Sequence, residues 1–154
     1  MNKWILEYLW LYPDRKRVTI EEPGWDDVKT AIDQMDGFHL DNVYLISQTG
    51  DFLGVFGGHL IDEEDEWEEY KGKRLYSLSQ FLDHGNGGQM ILRNREVWKA
   101  SEEEYWDELI QLSVEGQGTD VETRYVVEYD AVIKAFQYYY ETGELTKDQI
   151  WEVL

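Results

Sequence analysis

Val132, Ile133, Phe136, Tyr139 and Tyr140 recur at three- and four-residue intervals, which puts all five on one side of an α-helix from about Tyr129 to Thr142. A stripe this aromatic has to be buried, so the rest of the chain must offer it a broad apolar floor. Gly143 follows as a helix stop. Beyond it, Leu145, Ile150 and Trp151 supply apolar groups that fold back on the helix, so the C-terminal residues are expected to be docked rather than frayed. A second helical pattern, Trp25, Val28, Ala31, Ile32 and Met35, lies between Pro23 and Gly37, with Gly37 expected as its left-handed cap.

Strand-like runs provide the floor. Trp4 to Leu11 is apolar except for Glu7 and is bounded by Pro13-Asp14, and Arg17-Val18-Thr19-Ile20 is its expected hairpin partner. Asn42 to Ser47, the turn Thr49-Gly50-Asp51 and Phe52 to Phe56 make the clearest hairpin in the chain. Gly57-Gly58 follows directly, where two residues without Cβ suit a bulge or a close backbone approach. Further strands are expected at Arg74 to Leu78, Leu109 to Val114 and Asp120 to Tyr125, the last two joined by a turn over Glu115-Gly116-Gln117-Gly118. His84 to Gly88 reads as a glycine-rich loop, and Ser101 with Glu104 fits a capping box opening a short helix over Glu102 to Asp107. The expected whole is one α+β domain over residues 1–154, an antiparallel sheet with helices packed on it.

Charge narrows the possible partners. The chain has 33 Asp plus Glu against 14 Lys plus Arg, a formal net charge of -19 on 154 residues. Nucleic acids and anionic membranes are recognised first through Lys and Arg neutralising phosphates, so direct binding to either is not expected. The acid does not mark a disordered tail, because 42% of residues are hydrophobic and there are 7 Trp, 11 Tyr and 5 Phe. Without cysteine there are no disulfides and no thiolate metal sites, which suits a reducing cytoplasm. No apolar run approaches the roughly 18 residues that span a bilayer, and Met1 to Glu7 lacks the apolar core of a secretory leader, so a cytoplasmic protein is expected.

The acid is densest in Asp62-Glu63-Glu64-Asp65-Glu66-Trp67-Glu68-Glu69-Tyr70, where seven carboxylates accompany two aromatics. A second such segment is Glu102-Glu103-Glu104-Tyr105-Trp106-Asp107-Glu108. Carboxylates steer a cationic surface from a distance, while Trp and Tyr are favoured anchors once it has docked. Asp62 to Tyr70 together with Trp106 are therefore the expected partner-binding residues. The competing reading buries Trp67 and Trp106 and leaves the acids solvated. Chemistry finds little support: His59, Asp62 and Glu64 match no tight metal-ligand spacing, and neither a cysteine nor a Gly-x-Ser-x-Gly nucleophile is present. Gly57-Gly58 and Gly87-Gly88 lack the lysine and helix context of a phosphate loop. No catalytic residue, cofactor or metal is expected.

The order of elements, with Leu53-Gly54-Val55-Phe56-Gly57-Gly58 and the ending from Ala135-Phe136 through Gly143 to Ile150-Trp151, resembles an immunity-protein family of bacterial polymorphic toxin systems. The resemblance implies a small α+β protein without catalytic residues that protects the cell from a nuclease or deaminase toxin domain. Such toxins are usually basic, in keeping with the acidity here. The expected function is neutralisation of a cognate basic toxin domain, and the alternative is an acidic nucleic-acid mimic that inhibits or regulates a DNA-binding protein.

Overall fold

Side chains alternate across the strands in a way that gives the sheet two unlike faces. In the computed structural model, which describes residues 3–62, 70–94 and 109–154, the strands are β1 (Ile5–Trp10), β2 (Lys16–Glu21), β3 (Asn42–Ile46), β4 (Phe52–Leu60), β5 (Arg74–Phe81), β6 (Gln89–Leu92), β7 (Leu109–Val114), β8 (Gln117–Glu122), β9 (Val127–Glu128) and β10 (Trp151–Val153). The helices are α1 (Trp25–Asp33) and α2 (Tyr129–Thr142). One eight-stranded sheet runs in the order β10-β6-β5-β4-β3-β1-β2, with β9 also paired to β5, and β7-β8 form a separate hairpin. Every pairing is antiparallel. The fold is α+β, with both described helices packed on the sheet.

Leu6, Val43, Leu45, Leu53, Val55, Tyr76 and Leu78 project from one face into the main core, where they meet Val28, Ala31 and Ile32 of α1 and Val132, Ala135, Phe136 and Tyr139 of α2. Both apolar stripes read from the sequence are thus buried. Aromatic contacts tie the helices to β1: the Trp4 ring lies 5.1 Å from that of Tyr139, and the Trp4 indole donates to the Tyr140 carbonyl at 3.0 Å. Tyr140 also donates from its hydroxyl to the Pro23 carbonyl at 2.8 Å, joining the two helical segments. The C-terminal residues are docked as expected, because β10 pairs with β6 through Trp151↔Leu92 and Val153↔Met90.

The opposite face is covered in part by the β7-β8 hairpin. Leu75 and Tyr76 are neighbours on β5 and so point to opposite faces. Tyr76 joins the main core, whereas Leu75 packs with Ile61, Tyr70, Ile110, Leu112 and Val126 in a second apolar cluster. Gly57 and Gly58 take φ of 97° and 101°, and the β4-β5 register shifts between Gly57 and Leu60, the bulge expected there. A Cβ on Gly57 would stand 2.9 Å from the Leu75 carbonyl oxygen and 3.5 Å from Leu112, so the missing side chain lets the hairpin approach.

Two boundaries differ from expectation. Helix α1 ends at Asp33 with Gln34 as its cap, one turn before Gly37. The Asp36 carboxylate takes the backbone N–H groups of Phe38, His39 and Leu40, and this local side-chain pairing outcompetes a further helical turn. The strand expected at Asp120 to Tyr125 instead starts at Gln117, ends at Glu122 and gives way to a 3-10 turn over Thr123–Tyr125. Its hairpin turn is only Glu115-Gly116, with φ of 49° and 89°, the paired positive values that match strand twist. Glu102 to Asp107 lie outside the described residues.

Candidate protein interface

The two acidic and aromatic segments leave and rejoin the described fold around a single apolar cluster. Ile61, 1% exposed, closes the approach to the first segment, and its backbone is tied to the return strand by Ile61 N–H to Lys73 O at 3.0 Å and Gly72 N–H to Ile61 O at 2.8 Å. Asn94, which precedes the stretch holding the second segment, donates from Nδ2 to the Val126 carbonyl at 2.8 Å and to the Tyr70 hydroxyl at 3.4 Å. The chain resumes at Leu109, paired with Glu122, and the next residue, Ile110, is buried in the same cluster as Ile61 and Tyr70. Segments far apart in sequence therefore share one anchorage.

Asp62 is exposed at the rim of this anchorage. Tyr70 is a correction: expected as a contact residue, it is 7% exposed and belongs to the second apolar cluster. The turn at Lys71-Gly72 carries its ring inward, where burial of the phenol outweighs its acidic surroundings in the sequence. Glu63, Glu64, Asp65, Glu66, Trp67, Glu68, Glu69 and Trp106 lie outside the described residues.

The hairpin that bears Leu109 and Ile110 is held by one buried carboxylate. Asp41, 0% exposed, accepts from the Ser113 hydroxyl, the Glu115 N–H at 3.1 Å, the Gly116 N–H at 2.8 Å and the Asn42 side-chain amide at 2.8 Å. The Tyr44 hydroxyl donates to Glu115 at 2.9 Å from the sheet. Burial first, and then this bond to a carboxylate, push the Tyr44 phenol well above its ordinary range. At the far end of the hairpin Tyr125 donates to Glu152 of β10 at 2.8 Å, and burial followed by that bond raises the Tyr125 phenol to about 12. Sheet and hairpin are thus linked at both ends.

Two of the three histidines, His39 and His84, make their contacts elsewhere. His39 pairs through Nδ1 with Asp36 at 2.6 Å, and His84 sits in a left-handed turn against Gly50. Burial alone would raise the Asp36 carboxyl, but the His39 bond and the amides of Phe38, Leu40 and His39 outweigh it and bring it down to about 2. No group of three or more His, Cys, Asp or Glu that could hold a metal occurs among the described residues. No described helix is long and apolar enough to cross a membrane.

Sequence reasoning missed an exposed aromatic pair. Tyr12 is 55% and Phe38 61% exposed, with ring centroids 5.2 Å apart, and the His39 ring stands edge-on to Phe38 at 4.9 Å. A shallow groove of about 430 Å³ runs beside them, lined by Trp10, Tyr12, Pro13, Asp14, Lys16 and His39. The available signal was position: each ring adjoins a turn former, Pro13 or Gly37.

Comparison with protein-family models, with curated proteins and with solved structures found no match.

Proposed function

We propose that the chain is an immunity protein that binds and neutralises a cognate basic toxin domain inside the cell. The observation that carries this reading is that the described residues flanking the two acidic and aromatic segments, Ile61, Tyr70, Asn94 and Ile110, meet at one apolar cluster. Long-range attraction between that acid and a cationic domain raises the rate of encounter, and aromatic contact then slows release. Inhibition follows from occupying the toxin's own cationic surface, the part that would otherwise meet nucleic acid, so the protein needs neither a reaction nor a cofactor. Trp67 and Trp106 are the anchors proposed within the segments.

The experiment pairs the purified chain with the basic domain encoded beside it. Replacing Asp62, Glu63, Glu64 and Asp65 with Asn or Gln is expected to slow association and to flatten its dependence on NaCl, with no change in thermal unfolding. Failure of the unaltered chain to form a complex with that domain would overturn the function, and unchanged association kinetics in the variant would remove the steering role.

A further inference from the structure

The sheet order leaves β2 as an outer strand, paired with β1 alone among the described residues. An outer strand carries a row of unspent backbone donors and acceptors that a further strand can take up. Which residues of β2 hold them follows from the register. Glu22 N–H donates to the Trp4 carbonyl at 3.0 Å, and residues of an antiparallel strand turn their backbone groups alternately toward and away from the neighbouring strand. Counting back from Glu22, Ile20, Val18 and Lys16 bond to β1, whereas Glu21, Thr19 and Arg17 direct N–H and C=O outward. Those last three residues are all exposed.

Charge says what fits this edge. The segment Arg15-Lys16-Arg17-Val18-Thr19-Ile20-Glu21-Glu22 opens with three cations and closes with two carboxylates, and the chain has no other run of three basic residues. Charges of one sign keep an outer strand from pairing with its own kind, but charges sorted by sign from end to end favour one orientation of a second copy. We propose that β2 pairs antiparallel with β2 of a second copy of this chain, about a two-fold axis between the two Thr19 residues, joining two molecules through one continuous sheet. That register sets Arg17 of each copy opposite Glu21 of the other, Val18 opposite Ile20, and Lys16 beside Glu22. It also brings the outward backbone groups of Arg17, Thr19 and Glu21 face to face and keeps the two faces of the sheet in line across the joint. Arg17 is 51% exposed although it meets Glu7 at 3.6 Å, and a guanidinium has donors enough for a second carboxylate. The formal net charge of -19 opposes self-association in general, but this segment holds three cations to two carboxylates. The other open edges lack the match: β10 is three residues long, and β8 carries Asp120 and Glu122 with no cation.

Sedimentation velocity of the purified chain over a range of concentrations, in about 0.15 M NaCl to screen distant repulsion, reads the pairing. The unaltered chain is expected to pass from one chain mass to two as its concentration rises. Arg17→Glu and Glu21→Arg each set like charges opposite one another twice, and each is expected to weaken self-association at least about tenfold. Glu21→Arg does so while making the chain less acidic, so its loss would not come from overall repulsion. Mixing the two variants restores both opposite-charge pairs across the joint, and the mixture is expected to dimerise at concentrations where neither variant does alone. Thr19→Pro removes an outward N–H, a change that an outer strand tolerates, and is expected to abolish the dimer with little change in thermal unfolding of the monomer. An unaltered chain that stays monomeric at every concentration overturns the proposal. So does a dimer that persists undiminished in both charge variants, or a mixture of them that stays monomeric. Should Thr19→Pro fail to fold, the charge variants and their mixture decide alone. Toxin binding enters none of these outcomes, so the dimer and the function proposed above are tested separately.

Discussion

Asp41 concentrates more structural consequence than any other polar residue described above. Its carboxylate serves two backbone N–H groups of a turn in which Glu115 is held at φ 49°, a conformation that costs a residue with a Cβ. Glu115 is tolerated there because Asp41 receives its N–H and Tyr44 engages its side chain. Removing the carboxylate takes the shared acceptor from three part-buried donors, so Asp41→Ala is expected to lower stability by about 2 kcal/mol in urea unfolding. Asp41→Asn keeps one carbonyl acceptor and should lose less. A loss below about 1 kcal/mol for the alanine variant would mean that the hairpin docks through Leu112 and Ile110 alone. Nothing in the sequence around Leu40-Asp41-Asn42 marked this role, because the groups that Asp41 serves are more than 70 residues away. Tyr70 was misjudged for a related reason: the seven carboxylates before it say nothing about which way a ring turns once a second apolar cluster exists to receive it.

Elements were legible in proportion to their length. The fourteen residues of α2 and the β3-β4 hairpin carry full periods of apolar residues, and both stand where the spacing put them. β9 is two residues and β10 three, too short to display any alternation, and β6 shows only four residues of which Met90-Ile91-Leu92 are all apolar. They become strands because β5 and β6 present open backbone to them. The glycine pair was legible as a device, and setting Gly57 beside Gly85, from the loop after β5, separates backbone strain from crowding. Gly57 (φ 97°) faces the Leu75 carbonyl at 2.9 Å, whereas Gly85 (φ 91°) has nothing within 4 Å of an added Cβ. Gly85→Ala should therefore cost about 1 kcal/mol from backbone conformation alone, and Gly57→Ala more than about 2 kcal/mol, because the hairpin must also be displaced. Equal shifts in melting temperature for the two would show that φ alone sets the cost.

At the scale of the whole molecule, 33 acidic groups against 14 basic ones make the folded state repel itself. Exposed ion pairs such as Arg17–Glu7 at 3.6 Å and Lys73–Glu128 at 3.2 Å contribute little each. Added NaCl screens the repulsion more than it weakens these pairs, since the Debye length falls to about 10 Å at 0.1 M. The melting temperature is thus expected to rise with NaCl in differential scanning calorimetry. A fall would mean that attractive pairs dominate. The sheet order carries a different consequence, one of time. Three of its seven described joints close long stretches of chain: Ile5 finds Ile46, Leu75 finds Glu128, and Trp151 finds Leu92. Non-local pairing of this kind slows folding into the millisecond-to-second range, about a thousand times slower than helical bundles of similar stability. The joint between β10 and β6 also waits for Trp151 to be made, which at about 5–20 residues per second takes longer than the folding itself; under the function proposed here, protection depends on molecules already folded and waiting.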